Sequence, residues 1–545
     1  MKRFWAVGAA FGSENDMSSD FLNKGIWYDG YANDGDERNM TLLNEVQLGD
    51  YLVMKSSATK GAGHRTSFTK VKGIGEVIEK VDYFSFKVNW FLLSELPKDF
   101  DNIWYSKTIE ELRDDNLRAY VKAIAISSDN LRKVQGAIEL LEYKKQIILQ
   151  GAPGTGKTYL AKEVAYTLIT NRQLSQGSEV RKNELQKMIE SEQFRIIQFH
   201  PAYSYEDFVR GIVAKTKGNT VEYNTINKIL AEFAAAANQN YLDSRKSVEE
   251  ISEEKKLQNV FDAFVEQIET EIENTGKYIL KNEIYIPEID DDAFRYKGDN
   301  WTSESRILFA DFMALVKLNI KSRKEIKDIE GLSKHVMHRK TYYYSLFEKF
   351  KDFYDANKGE DLQVQNITEQ KYVLVIDEIN RANLPAVLGE LIYALEYRGE
   401  GINSMYAIED GSYSIVIPPN MYIIGTMNTA DRSVGHIDYA IRRRFAFVDL
   451  LPNIDTVPEF SRTLFRAVSS LFVKYDTPDK ISKSEFLAPD FRYEDVWIGH
   501  SYFIAKDENE LATKLNYEII PLLKEYLKDG VLLDTAEVNI NELHV

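Results

Sequence analysis

The chain has 545 residues, 44% of them hydrophobic and 28% charged, a formal net charge of -17 and no cysteine. That length exceeds what one hydrophobic core supports and suggests about three or four domains of ordinary globular composition. Disulfide and thiolate-metal frameworks are excluded, the acidity argues against coating nucleic acid with the whole surface, and no apolar run is long enough for a bilayer, so the expected location is the cytoplasm, with no membrane partner.

The opening MKRFWAVGAAFG begins like a secretory leader but runs into SENDMSSD without a small-residue cleavage pattern, so it reads as a first strand. Up to about residue 128, short alternating strands with Gly and Asp turns (GDYLVMKSS, VKGIGEVIEKV, YFSFKVNWF) predict a small β-rich, barrel-like domain. Inside it, residues 51–75 hold Lys55, Lys60, Arg65, Lys70 and Lys72 and no carboxylate, a local basic stretch in an acidic chain. At SSDNLRKVQGAIELLEYKK the period becomes helical, with Ser127, Ser128 or Asp129 as N-cap, which predicts a linker helix over 129–145.

QIILQ is apolar enough for a buried parallel strand, and GAPGTGKTYLAKEVAYTL after it is a glycine-rich turn entering a helix. YVLVID at 372–377 and MYIIGT at 421–426 repeat the strand pattern, and RIIQFH adds another, so residues 146–449 are expected to form an α/β domain on a parallel sheet. Between about 230 and 365 lies a helical insert with strand-like pieces at YILKNEIYIPEI, its acidic runs read as solvated faces. Residues 450–545 are mostly helical in pattern and form the expected C-terminal helical subdomain.

Gly151, Ala152, Pro153, Gly154, Thr155, Gly156, Lys157 and Thr158 fit G-x-x-x-x-G-K-[ST]. Backbone N–H groups of such a loop curl around phosphate, the following helix points its positive end at it, Lys157 neutralises β and γ oxygens, and the Thr158 hydroxyl ligates magnesium. Asp377, ending a buried strand, is the second magnesium ligand, and Glu378 is placed to polarise a water in line with the γ-phosphate. If the 421–426 strand lies beside the other two, Asn428 orients that water and Asp431 fixes Arg432 or a neighbouring subunit's arginine; an Asx-turn closed by Asn428, Thr429, Asp431 and Ser433 is the plainer reading. Arg442, Arg443 and Arg444 end a helix, where the dipole favours cations, and one of them, with Arg443 and Arg444 the candidates, can cross to the next subunit's γ-phosphate.

GAPGTGKT, QFHPAYSYEDFVRGI, VLVIDEINRANLPAVLGELIYALE, IIGTMNTADRSVGHIDYAIRRRF and WIGHSYF, in order, closely resemble the motor domain of the McrB family of AAA+ proteins over about 145 to 530. The resemblance implies a homo-oligomeric ring, typically a hexamer, hydrolysing GTP with magnesium and stimulated by a separate McrC-type nuclease subunit, in a modification-dependent (type IV) restriction system that defends against phage. The family's NTxD element falls on Asn428, Thr429 and Asp431, and its acidic pair on Asp377 and Glu378; Ala152 stands where the family usually has proline. Guanine preference rests on the resemblance alone, because there is no N-K-x-D clamp, and ATP stays open. No nuclease constellation is visible, so cleavage is expected to need another protein.

FWAVGAAFG, NKGIWYDGY, VQLGDYLVMKSS and VKGIGEVIEKV look similar to EVE and related PUA-like domains, which implies a reader of modified (methylated) DNA that holds a flipped base. Trp5, Trp27, Tyr28 and Trp90 then supply stacking faces, and the stretch that includes Lys55 and Arg65 supplies a basic rim; the same aromatics also fit a plain core. The alternative from another class is an ATP-dependent AAA+ protein remodeller with an N-terminal adaptor.

Overall fold

The computed structural model describes residues 3–11, 15–30, 37–60, 66–91, 96–175, 178–217, 220–301, 303–318, 320–328, 334–357, 366–408, 412–431, 437–477 and 480–545. Among them no helix is long and apolar enough to cross a membrane.

Seven strands make the main sheet of the N-terminal unit: β1 (Phe4–Gly8), β2 (Ile26–Tyr28), β3 (Tyr51–Lys60), β4 (Thr66–Lys80), β5 (Ser85–Trp90), β6 (Lys98–Asp101) and β7 (Ile109–Glu111). They run in the order β2-β5-β4-β3-β1-β7, with β6 on β4, and β1 and β3 pair in parallel. The sheet buries residues on both faces: Trp5, Trp27, Leu52 and Phe86 on one, Ala6, Val53, Val71 and Ile74 on the other.

Helix α1 (Asp115–Lys144) begins well before the expected 129–145 linker. Asp114 caps it, its side chain accepting from Leu117 N at 2.9 Å, so Asp129 lies in the helix interior and is not a cap. Its apolar residues serve two cores, one at each end. Leu117, Val121 and Ile124 enter the N-terminal core, and Val134, Ala137, Ile138 and Leu141 enter the next domain's core.

That domain is built on five parallel strands: β8 (Gln146–Gly151), β9 (Phe194–Gln198), β16 (Tyr372–Asp377), β19 (Met421–Asn428) and β20 (Ala446–Asp449), in the order β9-β16-β19-β8-β20. Alternate residues face opposite layers, with Ile148, Leu374, Ile376 and Ile423 on one side and Ile147, Leu149, Val373, Val375 and Ile424 on the other. Helix α2 (Lys157–Thr170) covers the second layer through Leu160, Ala161, Val164 and Ala165. A hairpin of β10 (Arg210–Lys217) and β11 (Thr220–Asn227) follows β9.

The expected 230–365 insert has other bounds and another character. Helix α3 (Ile229–Asp243) belongs to the main domain, burying Leu230, Phe233, Ala234 and Ala237 against Tyr372 and Leu391. The inserted body is α4 (Val248–Thr275), an antiparallel sheet of β12 (Tyr278–Lys281), β13 (Ile284–Asp290), β14 (Ala293–Gly298) and β15 (Ser305–Leu308), then α5 (Phe309–Lys317) and α6 (Lys334–Ala356), around a core of Phe264, Phe294, Phe312, Tyr343 and Phe350. It is mixed, not helical, because the two-residue alternation at 278–298 buries one sheet face against α4 and α6. Its two points of attachment adjoin: Asn240 Oδ1 accepts from Gln370 N at 2.8 Å, and Arg245 pairs with Glu369 at 3.2 Å.

Strands β17 (Gly401–Asn403) and β18 (Ser414–Val416) form a second hairpin, and α7 (Tyr439–Arg444) leads into β20. After residue 450 the chain is mainly helical around Phe465, Phe472, Trp497, Leu511 and Leu523, with one short hairpin at Val473–Thr477 and Lys480–Lys483.

Candidate functional site

The glycine-rich loop joins β8 to α2, and its conformation demands its glycines. Gly154 and Gly156 have φ of 80° and 85°. A Cβ on Gly151 would meet Leu450 O at 2.5 Å, and one on Gly154 would meet the Tyr502 ring at 2.8 Å. Lys157 Nζ donates to Gly151 O at 3.0 Å and Ala152 O at 2.9 Å. Burial pulls its pKa down to about 8, against the opposing pull of Glu378 and Asp377.

The expected neighbours arrive from β19, beside β8, and from β16, the next strand out. Thr158 Oγ1 donates to Asp377 Oδ1 at 2.8 Å, and Thr426 Oγ1 on β19 donates to the same oxygen. A hydroxyl and a carboxylate in contact are hard oxygen donors of the kind magnesium takes beside phosphate and water, so the residues fit that ion. Glu378 adopts φ 53°, rare for a side-chain-bearing residue, and Glu378 N donates to Thr426 Oγ1 at 3.1 Å. Its carboxylate accepts from Arg381 Nε at 3.2 Å, and Arg381 Nη2 lies 3.8 Å from Asp431 Oδ2.

Register places Asn428 opposite Gly151, the first residue of the loop. Asn428 Oδ1 accepts from Ala430 N at 3.2 Å, so the plainer Asx-turn is present. It occupies the oxygen only, and no partner takes Nδ2 among the described residues. Asn380 donates to Asn428 O at 3.1 Å, Thr429 N donates to Gly151 O at 3.2 Å, and Thr429 Oγ1 donates to Asp495 O at 2.7 Å. Strand tip, phosphate loop and C-terminal domain thus share one network. Arg432 and Ser433 lie outside the described residues.

The three arginines stand elsewhere. They precede β20, whose Ala446 pairs with Ile147 near the start of β8, so they sit at the end of the sheet away from the loop. Arg443 and Arg444 both pair with Glu396, at 3.3 and 3.1 Å; the Arg443 side chain is 68% exposed and that of Arg444 only 11%. Arg442 lies over the Phe447 ring.

A further face of the loop was not assigned a role from sequence. Gly499 N donates to Pro153 O at 2.8 Å and Ser501 N to Gly154 O at 3.0 Å, so WIGHSYF latches onto the loop. A Cβ on Gly499 would fall 1.9 Å from Gly154 C. His500 Nδ1 accepts from Asn453 N at 3.3 Å, and burial, aided by Lys133, lowers the His500 pKa to about 4. The glycine-histidine pair in that motif was the available signal; Thr426 and Arg381 gave none, since their roles depend on strand order.

The aromatics expected to read a base are brought together, but inside one hydrophobic core that holds Trp5, Trp27 and Trp90 with Tyr28 packed against it. Trp5 and Trp27 are wholly buried and Trp90 nearly so. Trp5 Nε1 donates to Asp50 Oδ2 at 2.9 Å, Trp27 Nε1 to Gly8 O at 2.9 Å, and Trp27 stacks on Phe86. These tryptophans are core, for the reason that strands buried on both faces enclose their aromatics. Tyr28 is half-buried, edge-on to Phe21. Lys55 is buried and donates to Tyr105 O at 2.7 Å and Lys107 O at 2.8 Å, so it does not belong to a rim. Lys60, Lys70 and Lys72 pair with Asp101, Asp99 and Asp16. Two of these pairs form because β6 pairs with β4 and sets Asp99 opposite Lys70 and Asp101 opposite Phe68. Arg65 lies outside the described residues.

Residues 335–445 match the AAA domain of the dynein-related subfamily, and residues 485–532 match the McrB alpha-helical lid domain. A stretch of 185 residues is 39% identical to the Type IV methyl-directed restriction enzyme EcoKMcrB subunit of Escherichia coli (strain K12), covering 31% of this chain and 39% of that protein. Over 89 residues the chain is 34% identical to the Type II restriction enzyme BsuMI component YdiS of Bacillus subtilis (strain 168), covering 14% of this chain and 26% of the relative. The chain spans less than half the length of either curated relative.

Proposed function

The chain is an McrB-like AAA+ protein, and from that premise we propose that it is the GTP-hydrolysing motor subunit of a modification-dependent restriction system, acting on DNA with a separate McrC-type nuclease. The observation that carries the reading is the contact of Thr158 with Asp377 at 2.8 Å, one strand away from an Asn428 in register with Gly151. Phosphate, cation and water-handling groups then converge on one point.

In this reading the loop N–H groups and Lys157 hold the phosphates, and Thr158 and Asp377 would hold magnesium, which would supply charge neutralisation to the phosphates. Glu378 accepts a proton from the attacking water, and Asn428 Nδ2 orients it. Arg381 steadies Glu378 and Asp431. Arg443, exposed and remote from its own loop, suits action on a neighbouring subunit's nucleotide, which requires a ring, taken as a hexamer. The type IV methyl-directed enzyme among the relatives supports methylated DNA as the target.

The full chain is tested for phosphate release from GTP and from ATP, alone and with an McrC-type subunit, beside Glu378→Gln. Turnover lost with nucleotide binding kept is the expected result for the variant; retained turnover removes Glu378 as the base. Cleavage of methylated DNA by this chain alone would overturn the division of labour. The paired lysines of the N-terminal unit favour a second reading for that unit, a protein adaptor on an ATP-driven remodeller. Absence of DNA binding across a salt series, with ATP preferred, would select it.

A further inference from the structure

Strand order fixes which way round a nucleotide lies in this site. Asp377, Glu378 and Asn428 stand on or just after β16 and β19, on one side of β8, so the γ-phosphate faces that side. The nucleoside therefore leaves on the other side, toward β20, α1 and the lid. Four polar side chains from three separate elements meet there.

His500 Nε2 lies 3.7 Å from the point a Cβ on Gly156 would occupy. Its Nδ1 accepts from Asn453 N, so the neutral ring is assigned its proton on Nε2, and that N–H is the donor presented beside the loop. Asn453 Nδ2 donates in turn to Asp129 Oδ2 at 3.4 Å, and Lys133 Nζ pairs with the same oxygen at 2.9 Å. Asp129 Oδ1 has no partner among the described residues. The bland role for Asp129, an i,i+4 ion pair at a 37% exposed side chain, contributes little to stability. Nor is Asp129 needed as a helix cap, since Asp114 holds that position.

We propose that this cluster is the nucleoside subsite: Asp129 selects guanine by accepting its N1–H and exocyclic amino N–H, and His500 donates Nε2–H to the ribose or phosphate oxygens. Adenine presents a lone pair at N1 and a C–H at C2 on that edge, so it faces the carboxylate unfavourably and offers it neither donor. Hydrogen-bonded sites of this kind reject a base lacking the matching donors more strongly than apolar pockets do. The assignment rests on the nucleotide-hydrolysis reading above and supplies the base-reading carboxylate that the missing N-K-x-D clamp would otherwise provide.

The full-length protein and Asp129→Asn are titrated calorimetrically with GTP, ATP and xanthosine triphosphate. Xanthine carries a carbonyl where guanine has its amino group, so an amide complements it where a carboxylate does not. The variant is expected to lose about tenfold or more in GTP affinity and to gain xanthosine triphosphate affinity by a similar factor, as a bidentate base contact is worth. That gain cannot come from misfolding. Unchanged GTP affinity in the variant, or an equal loss for all three nucleotides, overturns the role of Asp129 while a wild-type preference for GTP leaves the functional reading standing. A wild-type preference for ATP sinks the guanine part of both. His500→Ala is expected to weaken all three nucleotides by one common factor; an altered base preference instead would overturn its placement on the ribose and phosphates.

Discussion

Arg381 donates from Nε to Glu378 Oε2 at 3.2 Å and holds Nη2 3.8 Å from Asp431 Oδ2, so one guanidinium bridges the tip of β16 to the turn after β19. A planar fork does this and an ammonium does not. The bridge keeps Glu378, already in an uncommon backbone conformation, aligned with the Asn428 tip.

Arg381→Ala is therefore expected to lower turnover about tenfold or more while nucleotide affinity stays within about twofold, because in the proposed function the contact orders the water-handling groups and not the phosphates. Arg381→Lys should recover only part of the rate. Steady-state phosphate release and equilibrium nucleotide binding, measured together, check the split.

Lys157 gives a pH signature. In the proposed function its ammonium meets phosphate, and burial has lowered its pKa in the free protein to about 8. Below that value the charge is in place before nucleotide arrives. Above it, binding must first take up a proton, so affinity falls by up to about tenfold per pH unit until the higher pKa of the bound state is passed. His500, with its pKa lowered to about 4, stays neutral throughout this window and does not contribute. Nucleotide titrations between about pH 6.5 and 9.5 should be flat at the acid end and decline at the alkaline end.

Gly499→Ala tests the latch. A methyl group 1.9 Å from Gly154 C cannot be accommodated by side-chain rotation, because the obstacle is backbone. The lid loop or the phosphate loop must move, and both hydrogen bonds between them are lost. Nucleotide binding should drop sharply while the far-ultraviolet circular dichroism stays that of the parent, since the lid core around Trp497 and Leu523 is untouched. Wild-type affinity in this variant would show that the latch does not hold the nucleotide site.

The glycine-rich turn and its contact with Asp377 were legible in sequence because a turn of this kind admits few residues at each position. Gly151, Lys157, Thr158 and Asp377 are nearly dictated by what they must touch, and the strands around them are apolar on both faces. What was not legible depends on partners far apart in the chain. The lysines of 51–75 looked unopposed until β6 brought Asp99 and Asp101 beside them. The linker helix was begun at 127–129 because Ser-Ser-Asp is a good capping sequence, yet Asp114 caps it earlier and its apolar residues serve a core at each end. Thr426 looked like a plain strand residue, and only the adjacency of β16 and β19 turns its hydroxyl toward Asp377. The tryptophans of the first domain kept both meanings in sequence, and sheet packing decided for the core.

The inserted body between α3 and β16 leaves and rejoins the main domain at contacts only one side chain apart, Asn240 with Gln370 and Arg245 with Glu369. A segment tethered at a single place behaves as a module plugged into a socket. It can be removed and the gap closed with a few flexible residues without re-threading any strand of the parallel sheet, or exchanged for a fluorescent reporter whose position follows the motor. Its aromatic core is its own, so the body's packing does not draw on the residues around the glycine-rich loop.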